Sequence, residues 1–372
     1  MNTLKIFSIA FLSSVTLGFA QDVNQARKAV DAEQYEKAKS ILKSIIKVNP
    51  IDGRANFILG NVYLIQTVTD SAKISFQRGL AGTEGSRLNY IGLGTIDLDN
   101  GNTTAAEANF ALALKDTKKK DIEELVAIGR AYTYSNKPNY KKAIEYLNKA
   151  KAINPNDALA QLAIGDAYYA DKNQNEAYAA YRNAFQFDPT LLRAKMQLGV
   201  LLKGAKSYDE AIKSFNEVIA INPSYGPVYR ELAETYYKWG RNKPSKSTEY
   251  MQTAITYYEK YLGLTDQSLH SRMRHADFLV LVKDYKALEI EANKMIEMDK
   301  VNPRIFRYLG YSAYENGNAD LAIKSLESFI ANPVNKVIAK DYLYLGTAKF
   351  KKGLTADGLT IDPVLFDSGM AD

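Results

Sequence analysis

Residues 155–223 read PNDALAQLAIGDAYYADKNQNEAYAAYRNAFQFDPTLLRAKMQLGVLLKGAKSYDEAIKSFNEVIAINP, and Pro155, Pro189 and Pro223 stand 34 residues apart in them. Each proline follows Asn or Asp, and between the prolines two copies of one pattern keep their offsets: Gly165 answers Gly199, Ala177 answers Ala211, and Tyr181 answers Phe215. Within the second half of a copy, Ala211, Phe215 and Val218 fall at the i, i+4, i+7 spacing of one helical face. Proline cannot continue a helix and pushes the residue before it out of the α region, so each copy must end at its Asn-Pro or Asp-Pro. A period near 34 with two helical stripes per period describes stacked helical hairpins. Small residues such as Gly199 and Ala211 let the paired helices approach, and Phe215 is expected to fill the space between hairpins.

Working outward, the same offsets recur along most of the chain. Leu59, Gly60, Tyr63, Ala72 and Phe76 mark a unit from about residue 53; Leu93, Gly94, Ala106, Phe110 and Ala113 mark one from about 87. Ile128, Gly129, Tyr132, Ala143, Leu147 and Ala150 follow from about 122, Tyr229, Leu232, Ala233, Tyr236, Ala254 and Tyr258 from about 226, and Phe306, Leu309, Gly310, Ala322, Leu326 and Phe329 from about 303. A degenerate first unit covers 22–50 with Ala38, Leu42 and Pro50, and 267–302 keeps helical periodicity without the Gly-Ala-aromatic set. This pattern resembles the tetratricopeptide repeat, W-x2-L-G-x2-Y, A-x3-F, P, although the signature Trp is absent from every unit. The resemblance implies an all-α fold, an α-solenoid superhelix of about nine to ten hairpins over 21–352. Residues 353–372 read as an irregular tail or as the start of a truncated final hairpin. An insertion around Gly240, Lys243 and Pro244 is expected to be a slack surface turn.

Residues 1–20, MNTLKIFSIAFLSSVTLGFA, carry Lys5, an apolar run from Ile6, and the small residues Gly18 and Ala20. They read as a secretory signal peptide cleaved after Ala20, since about fourteen apolar residues fall short of the ~20 that span a bilayer. No later segment reads as a transmembrane span. The chain has no cysteine, which excludes disulfides, thiolate metal sites and a lipidated cysteine. The expected location is therefore periplasmic or associated with the cell envelope, in the manner of exported bacterial members of the resembled family.

Forty-eight basic residues against 42 acidic ones give a net charge of +6, interspersed rather than concentrated, which argues against nucleic acid. The two histidines, His270 and His275, are five apart and do not share a helical face as a zinc pair would. Asp97, Asp99 and Gly101 miss the calcium-loop order and read as a turn capped by Asn102 or Thr103. Lys118, Lys119 and Lys120 read as a solvated helix end, and Asp209 with Glu210 as first-turn acids suited to the helix dipole. No enzyme, cofactor or metal site is expected.

Tyrosine is used 26 times, against 14 Phe and 1 Trp. Tyr63, Tyr132, Tyr168 and Tyr236 share one offset and are expected in the core. The resemblance assigns a second set to the concave face of the first helices: Arg130, Tyr134, Tyr169, Arg193, Arg230, Tyr237, Lys238, Arg307, Tyr311 and Tyr314. Aromatic and Arg side chains dominate binding energy at protein interfaces. The expectation is a non-catalytic scaffold that takes an extended protein or peptide with acidic segments in a concave groove, as part of an envelope complex. Phe57 and Asn61 stand where chaperone-binding relatives carry a carboxylate clamp, and only the Asn matches that motif. The alternative is a glycan-binding component of an outer-membrane uptake system, a class built on similar repeats.

Overall fold

The computed structural model describes residues 22–115, 122–300, 302–333 and 335–353, and every regular element among them is helical. The expected signal peptide, Lys118 to Lys120 and the tail from 354 lie outside the described residues. Helix α1 covers residues 22–31, and α2 Tyr35–Val48, α3 Gly53–Ile65, α4 Thr69–Gly79, α5 Ser86–Asp99 and α6 Thr103–Leu114 follow. Next come α7 Ile122–Tyr134, α8 Tyr140–Ile153, α9 Ala158–Ala170, α10 Gln174–Phe187, α11 Leu192–Gly204, α12 Tyr208–Ile221, α13 Gly226–Asn242 and α14 Ser247–Leu264. The last are α15 Leu269–Val282, α16 Tyr285–Met298, α17 Pro303–Glu315, α18 Ala319–Ile330 and α19 Ala339–Gly353. The helices form two compact units that divide between Asp266 and Gln267.

The repeated sequence builds repeated geometry. Asn154, Asp188 and Asn222 end α8, α10 and α12 in nearly one conformation, φ −138°, −140° and −144° with ψ 100°, 94° and 97°, the extended state that a following proline imposes. Each then accepts through its side-chain oxygen from the backbone N–H two residues on, at Asn156, Thr190 and Ser224, which closes the turn. At the other end of each hairpin, Glu33, Thr67, Lys172, Lys206, Lys283, Gly101 and Gly317 hold positive φ. The next N–H reaches back over the helix end, as Asn173 does to Tyr168 at 2.8 Å and Ser207 to Leu202 at 3.0 Å.

Where a first helix carries the seam Gly, that Gly faces the large side chain of its own partner helix. A Cβ on Gly60 would lie 2.3 Å from the Phe76 ring, one on Gly165 2.5 Å from Tyr181, and one on Gly199 2.5 Å from Phe215. Phe215 thus packs first of all within its hairpin, against Gly199, rather than only between hairpins. Phe76 does both, since a Cβ on Gly92 of the next hairpin would also stand 2.4 Å from its ring. Ala72, Ala106, Ala143, Ala177, Ala211, Ala254 and Ala322 are fully buried beside these seams. Among the described residues no helix is long and apolar enough to cross a membrane.

The insertion near Gly240 is ordered, which corrects the expectation of a slack turn. It lengthens α13 to 17 residues and α14 to 18, joined by a 3-10 turn at Pro244–Lys246. The reason is aromatic packing. Trp239 sits 4.7 Å from Tyr250 and 5.8 Å from Tyr208, and Tyr236 lies 5.6 Å from both Tyr250 and Tyr257. Asn102 precedes α6 as expected, but its side chain makes no capping hydrogen bond.

Candidate partner-binding face

In the first unit, first helices pack on the first helices of neighbouring hairpins, α3 on α5, α5 on α7 and α7 on α9, while second helices pack between them. That arrangement puts the first helices on the inner side of the curve. Their inner face carries polar side chains that pair with one another. In α9 the residue after the seam glycine is Asp166, and the Tyr181 hydroxyl from α10 donates to its Oδ1 at 3.0 Å. Arg193 of α11 donates to Asp166 Oδ2 at 2.9 Å and to the Tyr134 hydroxyl of α7 at 3.0 Å.

The first hairpin reaches across to this lining. Glu33, in the turn after α1, accepts from Arg230 Nη1 of α13 and from the Tyr261 hydroxyl of α14, both at 2.6 Å. Arg230 also meets Glu231 at 3.3 Å, and Glu231 accepts from Lys203 at 2.6 Å, while Lys203 reaches Glu234 at 2.7 Å. Asp31, the last residue of α1, faces Arg193, Arg130, Glu33 and Tyr225. The Tyr225 hydroxyl is buried and meets no partner in hydrogen-bond geometry among the described residues. One turn earlier in α1, Arg27 shares Glu123 with Arg54 of α3, at 2.5 and 2.9 Å, and Arg87 lies 3.4 Å from Glu124.

Protonation follows this pairing. Burial opposes the charge on Lys203, but Glu231 and Glu234 outweigh it and hold its pKa above the ordinary value. Burial likewise opposes the Glu231 carboxylate, and Lys203 with Arg230 pull its pKa down regardless. Asp31 differs: burial pushes its pKa up, and Arg193, Tyr225 and Arg130 offset only part of that. Tyr134 is raised to about 12 first by burial of its hydroxyl and then by the adjacent Asp166 carboxylate, although the residue as a whole is 59% exposed.

The ten residues expected on the groove divide accordingly. Arg130, Tyr134 and Arg193 come together in the first unit, with Arg230 joined to them through the Asp31 to Glu33 segment. Tyr134 and Tyr169 present exposed rings, 59% and 42%, and Lys238 is exposed beside a half-buried Tyr237 on which the Arg241 guanidinium lies at 5.9 Å. Arg307, Tyr311 and Tyr314 belong to the second unit. Tyr311 is core rather than groove, 3% exposed, because its hydroxyl donates to the fully buried Asp341 at 2.6 Å. Arg307 is bidentate on Asp341 at 2.8 and 2.7 Å and caps the Phe329 ring at 4.3 Å. Tyr314 packs edge-on to Tyr344 at 5.3 Å.

Three expected cation sites, Arg193, Arg230 and Arg307, are therefore already neutralised by acids of the chain itself. Those acids, Asp166, Glu33 and Asp341, were not among the expected site residues. Among the described residues no group of His, Asp and Glu is arranged to hold a metal ion. His275 lies 3.6 Å from Glu291, which Arg272 also meets at 2.9 Å.

Family profiles described as tetratricopeptide repeat match residues 23–85, 127–157 and 192–225, so these segments are tetratricopeptide repeats. A 103-residue stretch is 30% identical to Superkiller protein 3 of Schizosaccharomyces pombe, covering 28% of this chain and 7% of that protein. Over 267 residues the chain is 22% identical to the peroxisomal targeting signal receptor of Candida albicans, covering 68% of this chain and 44% of the receptor. The chain thus spans less than half the length of either relative. Among solved structures, Cut9 with Hcn1, an APC/C hetero-tetramer, superimposes with a TM-score of 0.50 at 16% identity over 84% of this chain and 59% of that one. That likeness supports the all-α superhelical fold.

Proposed function

We propose that the chain is a non-catalytic interaction scaffold that holds an extended, carboxylate-bearing peptide segment against the inner face of its first unit. The observation that carries this reading is the pair of exposed aromatic residues on successive inner helices, Tyr134 of α7, beside Arg130 and Arg193, and Tyr169 of α9. Such rings offer large contact area at low entropic cost, and guanidinium groups pair with carboxylates in bidentate geometry. The relatives support the coarse part of the reading, one of them being by name a receptor for a targeting signal. Export to the cell envelope is the second part, supported by Lys5, the apolar run and the small residues before Gln21.

Changing Tyr134, Tyr169 and Tyr237 together to Ala should weaken capture of a partner protein from envelope extract by more than about tenfold, since central aromatic anchors each contribute ~2 kcal/mol or more. Helical circular dichroism should stay unchanged. Undiminished capture would remove the inner face from consideration, and retention on a glycan array in place of protein capture would favour the uptake-system alternative. The intact mass of the secreted chain should begin at Gln21; a membrane-bound form retaining residues 1–20 would count against export.

A further inference from the structure

Resting on that reading, we propose that Arg193, Arg230, Tyr225 and Tyr261 form a carboxylate-binding cradle for an acidic peptide segment, and that the chain's own Asp31 and Glu33 occupy it as a displaceable internal ligand. The occupant is visible, so the ligand chemistry is read from it. Asp31 and Glu33 are two residues apart in the sequence Asp-Ala-Glu, and their carboxylates face Arg193 and Arg230 respectively. A partner segment with two carboxylates at the same spacing would meet the same guanidinium and hydroxyl groups.

The contact that places this segment has the makings of a clasp rather than a core. Glu33 and its partners are 197 and 228 residues apart, and the same turn adds Gln34 Nε2 donating to the Leu264 carbonyl at 3.0 Å and the Glu36 N–H to Asp266 at 3.2 Å. These are hydrogen bonds and ion pairs, whose net contribution is small because desolvation and lost side-chain freedom oppose them. The hairpin itself is held elsewhere. Val23 and Ala26 of α1 and Leu42 and Ile45 of α2 pack on Ala55, Ile58 and Leu59 of α3. Small adjustments at successive hairpin seams can therefore swing residues 31–36 away from α13 and α14 without unfolding either side.

The occupant also fits imperfectly. The Tyr225 hydroxyl interacts with Asp31 but lies outside good hydrogen-bond geometry to it, and burial raises the pKa of the Asp31 carboxylate more than its neighbours lower it. A free peptide carboxylate is not tied to the end of a helix and could reach both Arg193 and the Tyr225 hydroxyl. A competitor therefore has something to gain over the internal segment, which is what displacement requires.

The absence of cysteine lets the full chain be labelled at two chosen positions. Donor and acceptor dyes on Lys37→Cys and Glu259→Cys, both exposed, report the distance between the α1–α2 turn and α14. Energy transfer should be high in the parent chain and should fall when Asp31→Asn and Glu33→Gln are introduced, with helical circular dichroism retained. Raising salt to about 1 M should lower it in the parent chain too, since that shortens screening to ~3 Å. In unlabelled protein, the peptide acetyl-Gly-Asp-Ala-Glu-Gly-amide should bind the double variant about tenfold more tightly than the parent, because the competing state is depopulated. The Asn and Gln version of the peptide should bind neither. Transfer that is unchanged by both substitution and salt overturns the internal ligand while leaving the acidic-peptide reading intact. A clasp that opens without any gain in binding the acidic peptide overturns that reading and the cradle with it.

Discussion

The seams between paired helices and the inner face of the first unit are made from the same helices, yet they select partners by different rules. In a seam, Gly199 meets Phe215 and Gly165 meets Tyr181 inside one hairpin, and the next hairpin repeats the contact 34 residues on. On the inner face Arg193 meets Tyr134 across 59 residues, Arg27 meets Glu123 across 96 and Arg230 meets Glu33 across 197. Seam contacts are complementary in shape, so any hairpin with the right small and large residues makes them. Inner-face contacts depend on how far the stack of hairpins curves, a quantity set by the sum of many seams. The repeat therefore encodes its own core and leaves its lining to the superhelix.

The sharpest way to break this contrast is to attack a seam. Phe215→Ala removes a fully buried ring seated on Gly199, and should cost about 3–5 kcal/mol from lost burial plus the cavity left behind. Urea unfolding followed by circular dichroism would measure it. A loss under about 1 kcal/mol would mean that the hairpins rely on their neighbours far more than on their own seams.

A comparable but more conditional loss is expected in the second unit, where one acid does the work of a seam. Asp341 is fully buried and accepts from Arg307 twice, from the Tyr311 hydroxyl at 2.6 Å and from the Ile338 N–H at 2.8 Å. Asp341→Ala strands those donors and should cost about 3 kcal/mol. Burial alone would raise its pKa, but the hydrogen bonds from Arg307 and Tyr311 outweigh it and hold the pKa below the ordinary value. A depressed carboxylate contributes stability that is full above the unfolded pKa of about 3.9 and is lost as pH falls through the folded one. Unfolding midpoints measured from pH 7 down to 2.5 should drop more steeply in the parent chain than in Asp341→Ala. Parallel profiles would show that the acid is held in place without stabilising anything.

These two cases mark what could be read in advance. The hairpins were legible because Asn-Pro and Asp-Pro stops, seam glycines and buried alanines each impose one geometry wherever they stand. The left-handed residues that end the first helices were not, since Lys172 and Lys206 occupy them as readily as Gly101 and Gly317 do. Tyr311 looked like groove because it lies one residue after a seam glycine, as Arg130 does; Asp341, thirty residues on, draws its hydroxyl inward. The insertion at Gly240 read as slack because turn residues signal a break in regular structure. Aromatic packing decided otherwise, and that packing involves Tyr208 from the preceding hairpin.

That aromatic cluster supplies a smaller test. Trp239 is the chain's single tryptophan, so its fluorescence reports this site alone. Trp239→Ala should lower stability by about 2 kcal/mol, less than a seam residue because the ring is half-buried and its loss can be filled by Tyr250 and water. In the parent chain the emission should shift to the red in the same urea step as helix loss. An earlier red shift would mean that the ends of α13 and α14 open before the hairpin does.

The smallest effect is expected at Asp31, and its sign is what separates inner face from seam. Burial raises the pKa of Asp31, with Arg193, Tyr225 and Arg130 compensating only in part. A carboxylate whose folded pKa lies above its unfolded value of about 3.9 weakens the fold while ionised, and that penalty disappears as pH falls through the folded value. Asp31→Asn removes the charge at every pH. At pH 7 it should leave stability unchanged or raise it by no more than about 1 kcal/mol, and the variant should lack the gain that the parent chain shows on mild acidification. Asp341 carries the same functional group and responds in the opposite direction, because four hydrogen bonds converge on one and a loosely matched cradle surrounds the other. A loss of about 2 kcal/mol or more on Asp31→Asn would make the Asp31 contact as structural as that of Asp341, and residues 31–36 would then be a permanent wall of the concavity rather than its removable occupant.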